Sequence, residues 1–193
     1  MRLFVGLDIP DEIRARIGNY MDAQRRYAPQ VRWVSLESLH ITLKFIGEFP
    51  EPRLEELQRA LGAVGGQAFA VRFADVGFFP SARAPRVFWV GVHAEFELPA
   101  LAKAVDDATA SLGVEREERA YSPHLTLARS GSGRPQGSPR DRNKPKMFEL
   151  AAQVEGRAAP EFGTMRATEF ILYQSKLSPQ GAQYSKLTRF ALR

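Results

Sequence analysis

The chain has no cysteine and only three histidines among its 193 residues, and both shortages narrow the chemistry open to it. Without cysteine it can form no disulfide and no thiolate metal site, which suits a reducing compartment. No two histidines stand in a His-x-His or His-x3-His pair, the close spacing that zinc sites usually recruit. We therefore predict no metal and no other cofactor, although two distant histidines and an acidic residue could still form a ligand set.

Other signatures are missing as well. The sequence contains no glycine-rich loop of the Walker or dinucleotide type, so it gives no indication of ATP or NAD dependence. It lacks the Gly-x-Ser-x-Gly elbow, although a Ser-His-Asp triad, which is recognised by geometry, stays possible. No apolar stretch approaches the roughly 20 residues of a membrane span, and residues 1–10 are typical of a first strand rather than a signal peptide. These absences predict a cytoplasmic protein without membrane contact.

What the chain does have is one tetrapeptide pattern twice. Residues 40–43 read HITL, and residues 124–127, a little under half of the chain later, read HLTL. The two copies use two of the three histidines, so duplication of a half-molecule is the simplest explanation. If a pseudo-two-fold axis relates the halves, two imidazoles and two hydroxyls face one another across a cleft.

Both copies alternate apolar and polar residues, as a half-buried strand does. Because successive side chains on a strand point to opposite faces, His124 and Thr126 are predicted to share a solvent-facing side in the second copy. For the first copy, strict alternation predicts a core-facing set of Ile41, Leu43 and Phe45 and a groove-facing set of His40, Thr42 and Lys44. Each copy thus places an imidazole beside a hydroxyl on a rigid platform.

Two such histidines can divide proton transfer between them, since histidine changes charge near neutral pH. One acts as general base while neutral and the other as general acid while protonated. Threonine hydroxyls can donate hydrogen bonds to a phosphoryl oxygen as charge develops there. His93 has no threonine two residues on, and we interpret it as a structural or surface histidine.

These motifs resemble those of the 2H phosphoesterase superfamily, and the chain is most similar to the RNA 2′,3′-cyclic phosphodiesterases, also called 2′-5′ RNA ligases. The resemblance extends along most of the sequence. It covers residues 1–5, residues 32–34, HITLKFIGE at 40–48, residues 77–80 and 85–91, PHLTLAR at 123–129, and residues 172–177 and 181–184. Each piece alone is weak, but together and in this order they are specific.

The resemblance implies metal-independent hydrolysis of a 2′,3′-cyclic phosphate at an RNA end, leaving a 2′-phosphomonoester. It makes His40 the proton donor and His124 the proton acceptor, with Thr42 and Thr126 holding the non-bridging oxygens. The residue pattern alone would allow the two histidine roles to be exchanged.

The resemblance also makes Arg129 a phosphate-binding residue, and Lys44 could assist from the histidine face. On strict alternation Arg129 points away from His124, and it reaches the groove only if the strand ends or bulges near Ala128. An ordinary solvent-exposed side chain is the alternative interpretation of both Arg129 and Lys44.

Three alternatives to this hydrolysis stay open. The same groups could run the reverse reaction, an ATP-independent 2′-5′ ligation. The groove could bind an RNA end without turnover, although a mere binder has no need of two proton-transfer groups. The substrate could also be a 2′-5′ oligonucleotide or a small cyclic nucleotide. RNA with cyclic phosphate ends is the expected partner, and we expect a monomer with no obligatory protein partner.

Composition and periodicity predict one bilobal domain over residues 1–193 with an α+β fold. We expect two pseudo-symmetric lobes of antiparallel sheet, with outer helices, around a central groove. The predicted strands are residues 2–7, 31–35, 40–47, 69–78, 87–93, the second motif, 169–177 and 183–192, and the predicted helices are residues 11–26, 53–64, 98–112 and 147–154. A net charge of +5 favours a polyanionic partner.

Residues 130–146, SGSGRPQGSPRDRNKPK, differ in character from the rest of the chain. Their composition cannot bury a core, so we predict a flexible basic loop that either clamps an RNA backbone or is simply solvated. Candidates for base stacking in the groove are Trp89, Phe78, Phe79 and Tyr121. Burial in the core is the default expectation for Trp89 and for at least one of the two phenylalanines.

Overall fold

The computed structural model describes residues 1–29, 31–130, 144–178 and 181–193. Its strands are β1 (Arg2–Asp8), β2 (Arg32–Trp33), β3 (His40–Glu48), β4 (Phe69–Phe79), β5 (Val87–His93), β6 (His124–Arg129), β7 (Glu161–Ala167), β8 (Glu169–Ser178) and β9 (Gly181–Ala191). Its helices are α1 (Asp11–Arg25), α2 (Leu54–Gly62), α3 (Glu97–Ala110) and α4 (Lys144–Val154). Two short 3-10 turns lie at Leu36–Ser38 and Glu51–Arg53.

The strands form two sheets in which every paired neighbour is antiparallel. One sheet has the order β3-β1-β8-β9 and the other β2-β6-β5-β4-β7. The unit β1-α1-β3 in the first half corresponds to β5-α3-β6 in the second. Each sheet takes strands from both halves of the chain, so the halves interlock. The predicted α+β fold with two antiparallel sheets is confirmed.

The sequence of helix α1 explains why one face of this helix is buried. Pro10 precedes it and Asp11 and Glu12 occupy its first turn, where acidic groups suit the positive end of the helix dipole. Ile13, Ile17 and Met21 recur at helical spacing and are buried, which gives the helix one apolar stripe. These side chains belong to the main core, which extends through both sheets.

Three element predictions differ from the structure. Strand β2 contains only Arg32–Trp33 rather than five residues, and α4 begins at Lys144, earlier than predicted. Strand β7 was not predicted at all. Its alternation is broken near its start, where Gly163 has a φ of 116° and the pairing with β4 shifts register. Most of the basic loop, residues 131–143, lies outside the described residues. Of the helices that are described, none is long and apolar enough to cross a membrane.

Candidate active site

Each motif strand carries a β-bulge directly after its threonine. In β3, Leu43 has no partner, because β1 pairs with Thr42 and then with Lys44. In β6, Leu127 is skipped in the same way between Thr126 and Ala128, in the pairing with β5. A bulge places two residues of one strand opposite one residue of the other. It therefore reverses the faces expected for the residues that follow it, which in β3 are Lys44 and Phe45, before a second register shift at Ile46.

The bulge in β6 turns Arg129 toward the histidine face. Leu127 and Ala128 are both buried, and Arg129 is exposed. An Nη of Arg129 lies 3.5 Å from Thr126 Oγ1. The condition set by the sequence, a bulge near Ala128, is met, and the guanidinium lies beside the second motif.

The bulge in β3 has the opposite consequence for Lys44. This lysine is only 5% exposed, and its ammonium group donates to Asp106 Oδ1 and, at 2.6 Å, to the carbonyl of Glu115. Phe45, in turn, is 60% exposed. The predictions that Lys44 faces the groove and that Phe45 faces the core are both wrong, since alternation is reset at Leu43.

Both motif histidines have the same tautomer. Nδ1 of His40 lies 2.7 Å from the Ser38 carbonyl, and Nδ1 of His124 lies 2.8 Å from the Ser122 carbonyl. A carbonyl can only accept, so each Nδ1 carries the hydrogen and each Nε2 keeps its lone pair. Nε2 of His40 accepts from Thr42 Oγ1 at 3.0 Å. Both rings thus offer a basic nitrogen on the groove side.

Burial disfavours the protonated form of both imidazoles in the free protein. It lowers the pKa of His40 to about 4, although the hydrogen bond to Ser38 opposes this, and it also lowers the pKa of His124. The positive charge of Arg129 lowers the pKa of both rings, and His124 lowers that of His40. Arg129 therefore lies within electrostatic reach of both histidines.

One hydrogen bond links the first motif to the segment that precedes the second motif. The hydroxyl of Tyr121 donates to the carbonyl of Thr42 at 2.9 Å, and strands β3 and β6 are in contact. Tyr121 also packs against the main core, and burial raises the pKa of its hydroxyl. It therefore connects the segment before His124 to the first motif strand, a role that differs from the predicted base stacking.

The other stacking candidates are divided between core and groove. Phe78 is buried, as expected for at least one phenylalanine. Phe79 contacts His124 edge-on at 4.9 Å between ring centroids and lies 5.1 Å from Trp89. Trp89 is only partly buried, contrary to the default expectation, and lies opposite Thr126 and Gly77. Its indole covers Gly77, where a Cβ would lie 2.3 Å from the ring.

The sequence did not predict which residues surround His40. Phe4 and Tyr184 contact its ring, with centroids 4.6 and 5.0 Å away. Asp8 is its cross-strand neighbour and pairs with Arg14 at 2.8 Å and with Lys186. These residues come from β1, α1 and β9, so no local pattern could have grouped them, although Phe4 and Tyr184 belong to segments that support the family resemblance.

His93 lies apart from this arrangement. It is an exposed residue at the end of β5, and its Nε2 is 3.0 Å from Asp75 Oδ2. Its position agrees with the interpretation as a structural or surface histidine. In the part of the chain that the structure describes, no three His, Asp or Glu side chains cluster as metal ligands would.

Comparison with known proteins gives a consistent result. Residues 7–89 and 90–184 each match the family model described as "LigT like Phosphoesterase", so each matched stretch contains one motif. The chain is 36% identical over 190 residues to an Archaeoglobus fulgidus protein named RNA 2′,3′-cyclic phosphodiesterase, covering 98% of this chain and 99% of that protein. A Thermus thermophilus protein of the same name is 32% identical, covering 100% and 91%.

The chain is also similar to solved structures. Escherichia coli LigT complexed with 3′-AMP is 28% identical, with a TM-score of 0.77, covering 99% of this chain and 97% of that chain. A crystal structure from Thermus thermophilus is 29% identical, with a TM-score of 0.76, covering 100% and 98%.

Proposed function

The chain belongs to the LigT-like phosphoesterase family, the 2H phosphoesterases, and on that premise we propose that it hydrolyses 2′,3′-cyclic phosphate ends of RNA to 2′-phosphomonoesters. The observation that carries the proposal is the grouping of two His-Thr units with Arg129 at one site. The names of its relatives and the 3′-AMP complex of LigT support a nucleotide phosphate as the group that is bound.

The reaction needs two proton transfers on opposite sides of phosphorus. Nε2 of His124 takes a proton from water as the water oxygen attacks phosphorus. The bond from phosphorus to the 3′-oxygen breaks, and His40 delivers a proton to that oxygen. The products are a 2′-phosphate and a free 3′-hydroxyl, so the two histidines exchange their protonation states during one turnover.

The remaining polar groups stabilise the charge on phosphorus. Arg129 neutralises the phosphate, and Thr126 donates a hydrogen bond to a non-bridging oxygen. Thr42 donates to His40 Nε2 in the free protein. Once His40 is protonated, Nε2 can no longer accept, and the Thr42 hydroxyl is released to donate to the phosphate instead.

Substrate binding raises the pKa of His40, so that this ring takes up from solvent the proton that it later donates. In the free protein burial and Arg129 lower the pKa of His40. A bound phosphate adds a negative charge and pairs with Arg129, which removes one of these causes and opposes the other. The pKa of His40 therefore rises when the substrate binds, and the ring becomes an effective proton donor.

A hydrolysis assay tests the proposed function. The protein is incubated with a short RNA ending in a 2′,3′-cyclic phosphate, with EDTA present, and the product is identified by ³¹P NMR. We expect a 2′-phosphate and a rate that EDTA leaves unchanged. A 3′-phosphate, or no turnover, would contradict the proposal, and RNA of added length would instead indicate ligation.

Arg129→Ala tests the phosphate contact. Loss of a hydrogen bond to a charged group costs about 1.5–3 kcal/mol, so we expect kcat/KM to fall by about 10–100-fold. Since Arg129 lowers the pKa of both histidines, its removal should also move the kcat/KM optimum to higher pH. Arg129→Lys, the matched control, should keep the wild-type optimum. A loss of activity without any shift of the optimum would place Arg129 outside the site.

A further inference from the structure

Phe45 is an exposed aromatic ring on a motif strand. The large hydrophobic side chains that are exposed within the described residues are Phe45, Phe96, Phe148 and Leu177. Of these, only Phe45 belongs to β3 or β6. Its ring contacts that of Phe4, its cross-strand partner, at 6.1 Å between centroids, and Phe4 in turn contacts His40. Phe45 therefore extends the cluster of aromatic rings that contacts His40.

The backbone keeps this ring exposed. The bulge at Leu43 reverses the faces of the strand, and the neighbouring Lys44 is held in the interior by Asp106 and the Glu115 carbonyl. Phe45 cannot turn into the core without pulling Lys44 out of it. The ring is thus presented on the groove side by a fixed main chain.

The two halves of the chain place different side chains at the position that follows the bulge. Phe45 and Arg129 are the fifth residues after their motif histidines, and each follows a bulge that turns it to the histidine face. In the second half the position carries a cation suited to phosphate. In the first half it carries an apolar ring, whose chemistry suits the flat face of a base.

A second cation, Arg2, lies on the strand that pairs with the Phe45 segment. Arg2 precedes Phe4 by two residues on β1 and so shares its face, and among the described residues its exposed side chain has no ion-pair partner. The charges of Arg129 and Arg2 both lower the pKa of Tyr184, although burial raises it overall. Tyr184, whose ring contacts that of His40, therefore lies within electrostatic reach of both arginines. The nearest acid by register is Glu48, which lies 3.7 Å from the Met1 amino group.

We propose that Phe45 and Arg2 form a second nucleotide subsite. Phe45 stacks on the base of the nucleotide that precedes the cyclic end, and Arg2 contacts the phosphodiester joining the two nucleotides. Phe45 follows Thr42 by three residues, about 10 Å along the strand, so it lies beyond the reacting phosphate. The inference rests on the proposed function, and it makes an RNA chain a better substrate than a cyclic mononucleotide.

The test compares kcat/KM for a nucleoside 2′,3′-cyclic phosphate and for a dinucleotide ending in the same cyclic phosphate. We expect the wild type to prefer the dinucleotide by about tenfold or more. Phe45→Ala should lower the dinucleotide-to-mononucleotide ratio by about fivefold or more, as the loss of one base stack implies, and Phe45→Trp should retain it. Arg2→Ala should lower the ratio and make the dinucleotide rate less sensitive to salt.

Matched controls and a thermal melt separate recognition from folding. Phe96→Ala removes a more exposed ring that lies near Phe69 and Leu192, and Arg59→Ala removes an exposed arginine of α2. Neither should change the ratio. An unchanged ratio in Phe45→Ala, or equal losses on both substrates, would overturn the subsite while leaving the proposed function intact. Failure of the wild type to hydrolyse either substrate would overturn both.

Discussion

His40→Ala and His124→Ala should each lower the rate of cyclic phosphate hydrolysis by about 10²–10⁴-fold, since each removes one proton-transfer group. The two variants should also differ in pH dependence. His124→Ala keeps only the proton donor, so its kcat/KM should be constant in acid and fall as pH rises through the pKa of His40. His40→Ala keeps only the base, so its kcat/KM should rise with pH and then level off.

The pH profile of the wild type follows from the lowered pKa values of His40 and His124. The kcat/KM profile reports the ionisations of the free enzyme. Burial lowers both histidine pKa values below the ordinary 6.5, that of His40 to about 4. Activity requires a protonated donor and a neutral acceptor, so the pH profile of kcat/KM should be bell-shaped. Both of its inflections should lie below about pH 6.5. The kcat profile should lie at higher pH, because bound phosphate raises the pKa of His40.

His93→Ala is the matched control, because it removes the remaining histidine and should leave rate and profile unchanged. If His40→Ala lost activity at high pH and His124→Ala at low pH, the donor and acceptor roles would be reversed. If both variants kept rates near wild type, the two motifs would not be the catalytic groups.

Asp106→Ala should lower the free energy of unfolding by about 3–5 kcal/mol, the usual cost of leaving a buried charge without its partner. The Lys44 side chain is only 4% exposed, and Asp106 is its ion-pair partner. The Glu115 carbonyl would remain as its acceptor. Urea unfolding monitored by circular dichroism measures the change.

The neighbouring carboxylate provides the control for this variant. Asp107 forms ion pairs with Lys103 and Arg116 but is well exposed, so Asp107→Ala should cost less than about 1 kcal/mol. The double variant Lys44→Met with Asp106→Leu should recover most of the lost stability, because apolar residues often replace a buried ion pair without cost. Equal losses for Asp106→Ala and Asp107→Ala would show that the Lys44 pair is not buried in solution.

Periodicity predicted most of the fold because the signals are local. Pro10 and the acids that follow it located the start of α1, and an apolar run after a proline-containing loop located β5 with the observed bounds Val87–His93. Strand β7 escaped because its register shift and Gly163 interrupt alternation. Duplication of the His-Thr pattern marked the site, and the comparisons support the duplication, since two successive stretches match one family.

The faces of Lys44, Phe45 and Arg129 could not be predicted with certainty from alternation. A bulge depends on how the partner strand pairs, and the residues around Leu43 and Leu127 contain no local mark of it. The same limit applies to His40, whose ring packs against Tyr184 near the other end of the chain. Local sequence thus located the catalytic candidates, while cross-strand register determined which side chains surround them.

The central claim is that His40 and His124 act on one phosphate. Because the chain has three histidines, an NMR titration of the imidazole protons, with and without a saturating nucleotide 2′-monophosphate, tests it directly. We predict that the pKa of His40 rises from about 4 and that the pKa of His124 rises with it on binding. A rise at only one of the two motif histidines, or at neither, would contradict a shared site.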